Sequence, residues 1–411
     1  MHAYPAQLAD HVLDHWPSGF ELGLERRALM DVLSSCFQAS LDAEEGRPVR
    51  FRLIAGSADQ LRALVGPDSF LPLEFCEPIP LTPDALRRLS PAAPFHSSLI
   101  GAMFAEGRWS IWGVVHTGPE WLAPTWGGRD RHRNLPLPIV HVTGAGRMGV
   151  YASGELIATL ERGMIEGTTT DVFNSLWLPA LFKATRKRLA RQEHDNLPTA
   201  DDALVRVISQ HMVRRAIFLI RQAGYGGLVL LAEPELVQGA SVAVPGLLKL
   251  KYSFREGDAR ERYRTLLVRL IDMLGEQGGA GPIDLARFLD NDNPAVDRLE
   301  QAIFEVSRLI AGLAAVDGAV VLTKRFDLIG FGAEVSGELP YPDTVWQALD
   351  VEGERRAPEA ANSVGTRHRA AYRFVTAHPT GLAVVVSHDG VVRIVANVTG
   401  EVVYWEQFLN W

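Results

Sequence analysis

The stretch GAVVLTKRFDLIGFG, residues 318–332, contains two short apolar runs separated by a polar turn. The runs 318–323 and 327–332 predict two buried strands. Apolar residues at three-and-four spacing predict a helix just before them: Leu299, Ile303, Val306, Ile310 and Leu313. Because strands here alternate with helices, the sequence predicts an α/β fold with a mixed C-terminal β-sheet flanked by helices.

The same alternation continues on both sides of this stretch. An amphipathic helix that ends near Gly224 is followed by GLVLLAE (227–233), which predicts a buried strand. A second helix carries four leucines on one face: Leu266, Leu267, Leu270 and Leu274. Downstream, LAVVVS (382–387) and VVRIVAN (391–397) predict two more strands of the same sheet.

The amino-terminal half has a different pattern and predicts a separate domain of α/β or α+β class. Three apolar runs bounded by Gly and Pro predict strands: SLIGAMF, WSIWGVVHTG and LPIVHVTG. A long helix is predicted from about Asp171 to Arg191, and the polar segment QEHDNLPTADD (192–202) predicts a linker. We therefore expect two domains, residues 1–195 and 196–411.

The composition limits the classes of partner and compartment. The 411 residues carry a formal net charge of −8, which predicts no bulk binding to nucleic acid or to an anionic membrane. Two cysteines, Cys36 and Cys76, are too few for a disulfide framework and suit a reducing cytosol. The first residues lack the pattern of a signal peptide, and no window reaches the ~18 apolar residues of a membrane span. A cytoplasmic protein is expected.

The segment GAGRMG (144–149) matches the glycine pattern of a dinucleotide-binding turn. That function needs a helix to open within the glycines, but VYAS and Gly154 follow instead. We therefore interpret the segment as a tight turn of the amino-terminal domain.

A second basic segment, RDRHRN (129–134), runs into Leu135-Pro136-Leu137-Pro138, which leaves no helix terminus to supply backbone donors. A solvated basic loop is the favoured interpretation, with a ligand contact as the alternative. Motifs of zinc hydrolases, P-loop proteins and α/β-hydrolases do not occur in the sequence.

The segment GTRHRAA (365–371) places positive charge where a helix disfavours it. Gly365 and Thr366 predict the lead-in and N-cap of a helix whose apolar face holds Ala370, Ala371 and Phe374. The first turn nevertheless holds three basic residues, Arg367, His368 and Arg369. Because the helix dipole favours negative charge at this end, the pattern predicts a bound anion there.

Two other segments of the same region carry polar side chains at element ends. Asp317-Gly318-Ala319 lies between a predicted helix and a strand, and Ser387-His388-Asp389-Gly390 lies between two strands. Each alone is typical of a plain turn. Together with the basic helix start they predict carboxylates, a hydroxyl and a phosphate cradle at the ends of elements of one sheet.

These residues resemble the diadenylate cyclase domain family, whose two signatures are Asp-Gly-Ala and Arg-His-Arg, the latter usually within Gly-Thr-Arg-His-Arg. Both stand here in the expected order. The resemblance is strong over residues 296–398 and weaker back to about residue 200. It implies that residues 1–195 are a variable sensor domain, and that two ATP molecules are joined into cyclic di-AMP with loss of two pyrophosphates.

The resemblance also implies roles for individual residues. Asp317 would lie near the ribose 3′-hydroxyl as proton acceptor or metal-linked orienter, and Asp389 would join it in holding Mg²⁺ or Mn²⁺. Arg367, His368 and Arg369 would be catalytic with Asp317 and would bind the phosphates. The implied ATP-binding residues are Gly318, Ala319, Val335, Gly365, Thr366, Arg367, His368, Arg369 and Ser387.

Some positions depart from the family pattern. Val316 stands where some members carry a metal-binding His, and His388 replaces a common acid, which puts metal choice in question. The loop that includes residues 347–363 looks longer than usual, and LVQGASVAVPG (236–246) looks like an insertion.

Three functions follow from these observations. The leading one is a diadenylate cyclase with an amino-terminal regulatory domain, acting as a homodimer or higher homo-oligomer with cyclase domains face to face. The second is a cyclase-like module that senses a nucleotide without turnover. The third is an interaction protein in which the amino-terminal domain carries the function.

Overall fold

Contacts divide the chain into two compact units in the computed structural model: unit 1 is Met1–Thr169 with Asn410–Trp411, and unit 2 is Thr170–Leu409. The structure describes residues 2–18, 21–64, 71–117, 127–129, 137–152, 155–161, 163–167, 171–183, 200–234, 237–238, 241–242, 247–277 and 283–407. Within these ranges no helix is long and apolar enough to cross a membrane.

Unit 1 is built on an eight-stranded sheet of order β10-β9-β8-β7-β3-β5-β6-β4. Its described helices are α1 (Pro5–Asp14), α2 (Arg26–Ser40), α3 (Ala58–Leu64) and α4 (Pro83–Leu89). Its strands are β1 (Ala43–Glu44), β2 (Arg47–Pro48), β3 (Phe51–Ala55), β4 (Leu71–Pro80), β5 (Ser98–Ala105), β6 (Arg108–His116), β7 (Ile139–Gly144), β8 (Arg147–Ala152), β9 (Glu155–Glu161) and β10 (Met164–Gly167).

The sheet of unit 1 is antiparallel except for the parallel pair β3–β5. Alternate residues of β3 point to opposite faces, as strand geometry requires. Phe51, Leu53 and Ala55 pack with the apolar sides of α1 and α2, which bury Leu8, Leu29 and Leu33 among others. The opposite face has its own smaller apolar cluster, which includes Ile54, Leu99 and Tyr151.

Unit 2 contains α5, whose described part covers residues 177–183. The other described helices are α6 (Asp202–Ala223), α7 (Arg262–Glu276), α8 (Leu285–Leu289), α9 (Pro294–Ala314) and α10 (Thr366–Ala377). The strands are β11 (Gly227–Ala232), β12 (Val237–Gln238), β13 (Ser241–Val242), β14 (Leu248–Ser253), β15 (Ala319–Thr323), β16 (Leu328–Val335), β17 (Thr344–Ala348), β18 (Arg356–Ala360), β19 (Leu382–Val386), β20 (Val392–Val398) and β21 (Glu401–Gln407).

The main sheet of unit 2 has nine strands in the order β14-β16-β15-β11-β19-β20-β21-β17-β18. The pairs β11–β15 and β17–β21 are parallel, and the other neighbours are antiparallel, so the sheet is mixed. Helices α6, α7 and α9 bury their apolar sides on one face, and α10 covers the other. The predicted α/β class with a mixed, helix-flanked C-terminal sheet is confirmed.

Local sequence explains where the helices of unit 2 begin and end. Asp201 caps α6 by accepting a hydrogen bond from the Ala203 N–H, and Gly224 ends that helix in the left-handed conformation at φ 74°. Asn293 caps α9 in the same way, and Pro294 occupies its first position, where a missing N–H costs nothing.

The predicted helix from Asp171 to Arg191 is not continuous in its described part. Asp171 caps only a short 3-10 turn, Val172–Asn174, and a new helix follows at residue 177. The Asp171 carboxylate also pairs with Arg214 at 2.5 Å, and Phe173 joins the core of unit 2. Residues 171–183 therefore pack with unit 2.

The predicted boundary at 195/196 and most of the predicted linker lie outside the described residues, so the division into functional domains stays a prediction.

The glycine-rich segment GAGRMG and the basic segment RDRHRN both belong to unit 1. GAGRMG connects the antiparallel strands β7 and β8 through a turn in which Gly146 has φ 64°. The interpretation of this segment as a tight turn is thus confirmed. Of RDRHRN only Arg129 lies within the described residues, where it is buried.

Candidate functional site

Three segments of unit 2 meet at one edge of its sheet. Asp317 precedes β15, Gly226 precedes β11 and Ser387 follows β19, and these three strands are direct neighbours in register. Neighbouring strands lie about 4.8 Å apart, so Asp317 and Ser387 are separated by roughly 10 Å across the start of β11. This is the amino edge of the parallel pair β11–β15, whereas ligands of open parallel sheets usually bind beyond the carboxyl edge.

The Asp317-Gly318 turn lies directly against the backbone of β16. Gly318 has φ 104°, and a side chain there would place its Cβ 2.5 Å from the carbonyl carbon of Gly332. Asp317 is exposed, and its side chain accepts no hydrogen bond from a described residue. Lys251 lies nearby on β14: a hydrogen bond to Glu334, and to a smaller extent the charge of Asp317, raise the pKa of Lys251.

Helix α10 begins one residue earlier than predicted. Gly365, not Thr366, is the N-cap, with extended backbone at φ −67° and ψ 172°. Because glycine has no side chain, the amide groups of the first turn receive no side-chain cap, and no acidic residue occupies that turn. Ala371 and Phe374 are buried as predicted, while Ala370 is half-buried.

Arg367 joins this helix start to the sheet edge. Gly226 has φ 68°, and a Cβ on it would lie 2.8 Å from Arg367 Nη1, 2.7 Å from the Val386 carbonyl oxygen and 3.3 Å from the His388 backbone nitrogen. The guanidinium therefore lies over the glycine, next to the end of β19. A side chain at position 226 would require the guanidinium and the Val386 carbonyl to shift.

Arg369 points to the other side of the helix, since it stands two residues after Arg367. Its charge acts on Tyr341, whose pKa is raised by burial and held back by Arg369 and Arg373. Arg373 stacks over the Tyr341 ring at 4.6 Å. The side chains of Arg367 and Arg369 make no ion pair and no hydrogen bond with any residue in the described ranges.

His368 is the most strongly perturbed titratable group of the predicted site. Burial, and then the positive charge of Arg393, lower the pKa of His368 to about 4. The negative charges of Asp389 and Glu359 act in the opposite direction but are weaker. The imidazole is therefore neutral near pH 7 and can serve as a hydrogen-bonding group rather than as a cation.

Behind His368 lies a polar network that the sequence did not indicate. Arg393 on β20 donates to Glu406 Oε1 from Nη2 at 2.7 Å and to the Tyr372 hydroxyl from Nη1 at 3.3 Å. The Arg393 guanidinium also stacks over the Tyr404 ring at 4.2 Å, and the Tyr404 hydroxyl donates to Glu359. This network fixes the side of α10 that carries His368 and Tyr372.

The Ser387–Gly390 turn is tied together by its own side chains. Ser387 Oγ donates to Asp389 Oδ1, and the Val391 N–H donates to the same oxygen at 3.3 Å. These contacts, with the Ser387 hydrogen bond as the largest, lower the pKa of Asp389. Gly390 at φ 84° lets Arg221 pack over the turn, since a Cβ there would lie 3.2 Å from Arg221 Nε.

The donor groups for a divalent cation can be judged from these contacts. Among the described residues, no group of three or more His, Cys, Asp or Glu side chains is placed to hold a metal ion. Asp317 offers an exposed carboxylate, while one oxygen of Asp389 already carries two hydrogen bonds. Because Mg²⁺ is often held by one or two carboxylates plus substrate phosphate oxygens, the residues present fit such an ion only together with a bound triphosphate.

The remaining predicted residues divide into two groups. Ala319 is buried at the start of β15, and Val335 is half-buried at the end of β16, where it packs with the apolar residues beneath α10. Val316 and His388 are both exposed at the same sheet edge as Asp317 and Ser387. Sequence patterns could not indicate Gly226, Lys251 or Arg393, because each reaches the site only through strand pairing or packing.

Two segments that were expected to be a long loop and an insertion contain paired strands in the structure. Residues 347–363, expected as a long loop, contribute to the hairpin β17–β18 at the end of the sheet. Of the expected insertion 236–246, the described part is the two-stranded ladder of β12 and β13. An apolar cavity lies on the other face of the sheet, between α6 and the segment 173–182, and none of the predicted site residues lines it.

Residues 24–116 match a family model described as "Probable sensor domain DACNV". The match covers less than a quarter of the chain and lies entirely in unit 1, so it supports a sensor domain there. A match to a diadenylate cyclase catalytic domain does not accompany it. No curated protein and no solved structure matches the chain.

Proposed function

We propose that unit 2 is a diadenylate cyclase, which joins two ATP molecules into cyclic di-AMP and releases two pyrophosphates, and that unit 1 regulates it. The observation that carries the proposal is the pair Arg367 and Arg369, two guanidinium groups without an ionic partner among the described residues, at the uncapped start of α10. Cations at this end of a helix are unfavourable unless an anion offsets them. A triphosphate meets that requirement.

The sheet edge supplies the other groups that the reaction needs. Each ribose 3′-oxygen attacks the α-phosphorus of the other ATP, loses its proton, and displaces pyrophosphate as the bond from the α-phosphorus to the bridging oxygen breaks. Asp317 is exposed and has no hydrogen-bond donor among the described residues, so its carboxylate is available to accept that proton. Catalysis of this kind depends mainly on positioning and on neutralising charge.

The basic helix start would hold the phosphates. A guanidinium directs two donors at phosphate oxygens. Arg367 and Arg369 would bind the phosphate oxygens from opposite sides of the helix axis. The amides after Gly365, the Thr366 hydroxyl and neutral His368 would add hydrogen bonds. Ser387 would contact phosphate from the neighbouring turn. A bound Mg²⁺ or Mn²⁺, held by Asp317 with help from Asp389, would neutralise part of the triphosphate charge.

The amino-terminal match supports the regulatory half of the proposal. A sensor domain in front of unit 2 is expected when the output of a second-messenger enzyme depends on a signal. The nucleotide-sensing alternative uses the same phosphate cradle without turnover. The two differ only in whether Asp317 takes part in chemistry.

The test is the conversion of ATP by the purified full-length chain with Mn²⁺ or Mg²⁺, with products separated by chromatography. We expect cyclic di-AMP from the wild type. Asp317→Asn should retain ATP binding but lose at least about 100-fold in rate, because it removes the proton acceptor. Asp258→Asn, a change of an exposed carboxylate before α7, is the matched control and should keep the wild-type rate.

Each outcome separates the candidates. Wild-type protein that binds ATP but forms no product with either metal would favour the nucleotide-sensing module. A folded Asp317→Asn variant with the wild-type rate would exclude Asp317 as the reacting carboxylate. No ATP binding at all would leave the function with unit 1.

A further inference from the structure

Unit 1 contains a buried arginine without a counter-charge. Arg52 is the second residue of β3, in the middle of the eight-stranded sheet, and it is 0% exposed. Its Nε and Nη1 atoms make no hydrogen bond in the structure, and Nη2 reaches only the Thr117 hydroxyl, at 3.5 Å. None of the described residues forms an ion pair with Arg52.

This arrangement is costly in a folded protein. An ionised group that is removed from water without a partner loses its favourable solvation, and buried charges are normally paired for that reason. Unit 2 shows the usual solution: Lys324, 2% exposed, is paired with Glu233 at 2.6 Å. Burial lowers the pKa of Arg52 to about 9, so the guanidinium still carries its charge near pH 7.

A second cation lies close to the first. The Arg50 guanidinium stacks over the Phe95 ring at 5.2 Å, and that of Arg52 lies 5.9 Å from the same ring. Arg50 is exposed, so the pair connects the buried position to the surface through one aromatic side chain. Arg50, like Arg52, has no ion pair within the described part of the chain.

Histidine and aromatic rings also lie near the two arginines. His141 is the register partner of Arg52 on β7, it meets Phe95 edge-on at 5.6 Å, and it stacks on Tyr151 at 4.0 Å. The pKa of His96 is lowered by burial and then by the charges of Arg50 and Arg52, so it faces both cations. The described cluster thus combines positive charge with flat rings and contains no carboxylate that faces it.

We propose that Arg52 and Arg50 form a binding site in unit 1 for an oxyanion, a phosphate or carboxylate group carried by a small ligand. A planar guanidinium pairs with either group, and such an ion would supply the missing counter-charge of Arg52. The Phe95 ring, which both guanidinium groups approach, would lie beside the bound group. The site lies on the face of the sheet opposite α1 and α2.

The test measures anion binding to the full-length chain by titration calorimetry and thermal melting. Arg367→Ala/Arg369→Ala protein is used throughout, so that the basic helix start of unit 2 does not contribute. Inorganic phosphate and sodium acetate are titrated separately, with sodium chloride at the same ionic strength as the reference. We expect heat of binding and a rise in melting temperature of at least about 2 °C with one of the two anions.

Two further substitutions locate the binding. Arg52→Met should abolish the effect and melt at a higher temperature than its parent in anion-free buffer, because it removes an unpaired buried charge. Arg50→Met changes an exposed side chain and should weaken binding about tenfold without affecting folding. Arg108→Met, an exposed arginine on β6, is the control and should bind like the parent.

The outcomes decide the proposal independently of the cyclase assignment, since no product is measured. Binding of phosphate alone would identify a phosphate-bearing ligand, and binding of acetate would identify a carboxylate. An effect no larger than that of chloride for both anions would overturn the site. Binding that survives both Arg52→Met and Arg50→Met would overturn it as well.

Discussion

Gly226 shows how one residue without a side chain can decide the geometry of the predicted cyclase site. Its φ of 68° lies in the left-handed region, and the space where a Cβ would stand is bordered by Arg367 Nη1 and the Val386 carbonyl oxygen. The nearby Gly224 has a similar φ of 74° but open space around it. A side chain at position 224 would therefore add backbone strain alone, whereas one at position 226 would add both strain and steric crowding.

We expect Gly226→Ala and Gly224→Ala to differ in both stability and activity. Gly224→Ala should cost about 1 kcal/mol in the free energy of unfolding, since only strain is added. Gly226→Ala should cost about 2–4 kcal/mol, because the Cβ also clashes with the Val386 backbone carbonyl, and it should lower cyclic di-AMP formation at least tenfold, because Arg367 must move. Urea denaturation and the ATP assay measure the two effects. Equal losses in the two variants would show that Arg367 is not held by this contact.

His368 predicts a specific dependence of stability on pH. Its folded pKa of about 4 lies below the unfolded value of about 6.5, so the unfolded chain binds more protons between these values. The neutral His368 therefore contributes fully to the free energy of unfolding above pH 6.5. This contribution is lost as the pH falls toward 4. Because the ring is only partly buried, we expect about 1–2 kcal/mol, less than the full shift would give.

The measurement compares wild type and His368→Gln in free protein. The free energy of unfolding of the wild type should fall more steeply than that of the variant between pH 6.5 and 4. Parallel curves would mean that the imidazole is as accessible in the folded chain as in the unfolded one.

At the scale of elements, the first turn of α10 lacks the interactions that usually stabilise the start of a helix. Gly365 provides no cap, and three basic side chains oppose the dipole. Gly365 has extended backbone and nothing within 4 Å of a Cβ position, so a Cβ is accommodated there. The lack of a cap is thus not imposed by packing, which agrees with a helix start kept open for an anion.

Substitution of Gly365 by Asp should therefore raise stability and lower nucleotide affinity together. A capping carboxylate should add about 0.5–1 kcal/mol to the free energy of unfolding and repel phosphate. Gly365→Asn, which caps without charge, is the matched control and should weaken ATP binding much less. Thermal melting and calorimetry with ATP test both effects. Tighter ATP binding by Gly365→Asp would contradict a phosphate cradle at this helix start.

The elements that the sequence predicted are those whose side chains are buried in a simple period. The strands β11, β15 and β19 are fully buried runs, and α9 repeats its apolar residues every three or four positions. By contrast, β14, β17 and β18 were missed, because most of their residues are exposed or half-buried and their pairing at the sheet margins defines them. Local periodicity contains little of that information.

The candidate site was predicted in part for the same reason. Asp317, the Gly365–Arg369 segment and Ser387–Asp389 stand at element ends that sequence pattern locates well. Their meeting at one sheet edge required the strand order, and Gly226 and Arg393 enter only through contacts distant in the chain. Long-range pairing of this kind follows from the whole fold rather than from any window of sequence.

At the scale of the whole molecule, the proposed reaction is most simply carried out by two copies of unit 2. One unit supplies one Asp317 and one pair of arginines, yet cyclic di-AMP contains two identical phosphodiester bonds. The simplest arrangement has two units related by a two-fold axis, each holding one ATP, so that each 3′-hydroxyl faces the α-phosphate bound by the other unit. The proposed cyclase therefore predicts a dimer as the active species.

If that dimer forms reversibly, the rate per chain should rise with protein concentration and level off once dimerisation is complete. Mixed dimers of wild type and Asp317→Asn should form the first bond readily and the second poorly, because only one of the two carboxylates remains. The linear intermediate with one triphosphate end should then accumulate, and chromatography would detect it. Light scattering at the assay concentration provides the decisive control. A chain that is strictly monomeric there and still makes cyclic product would exclude the two-fold arrangement.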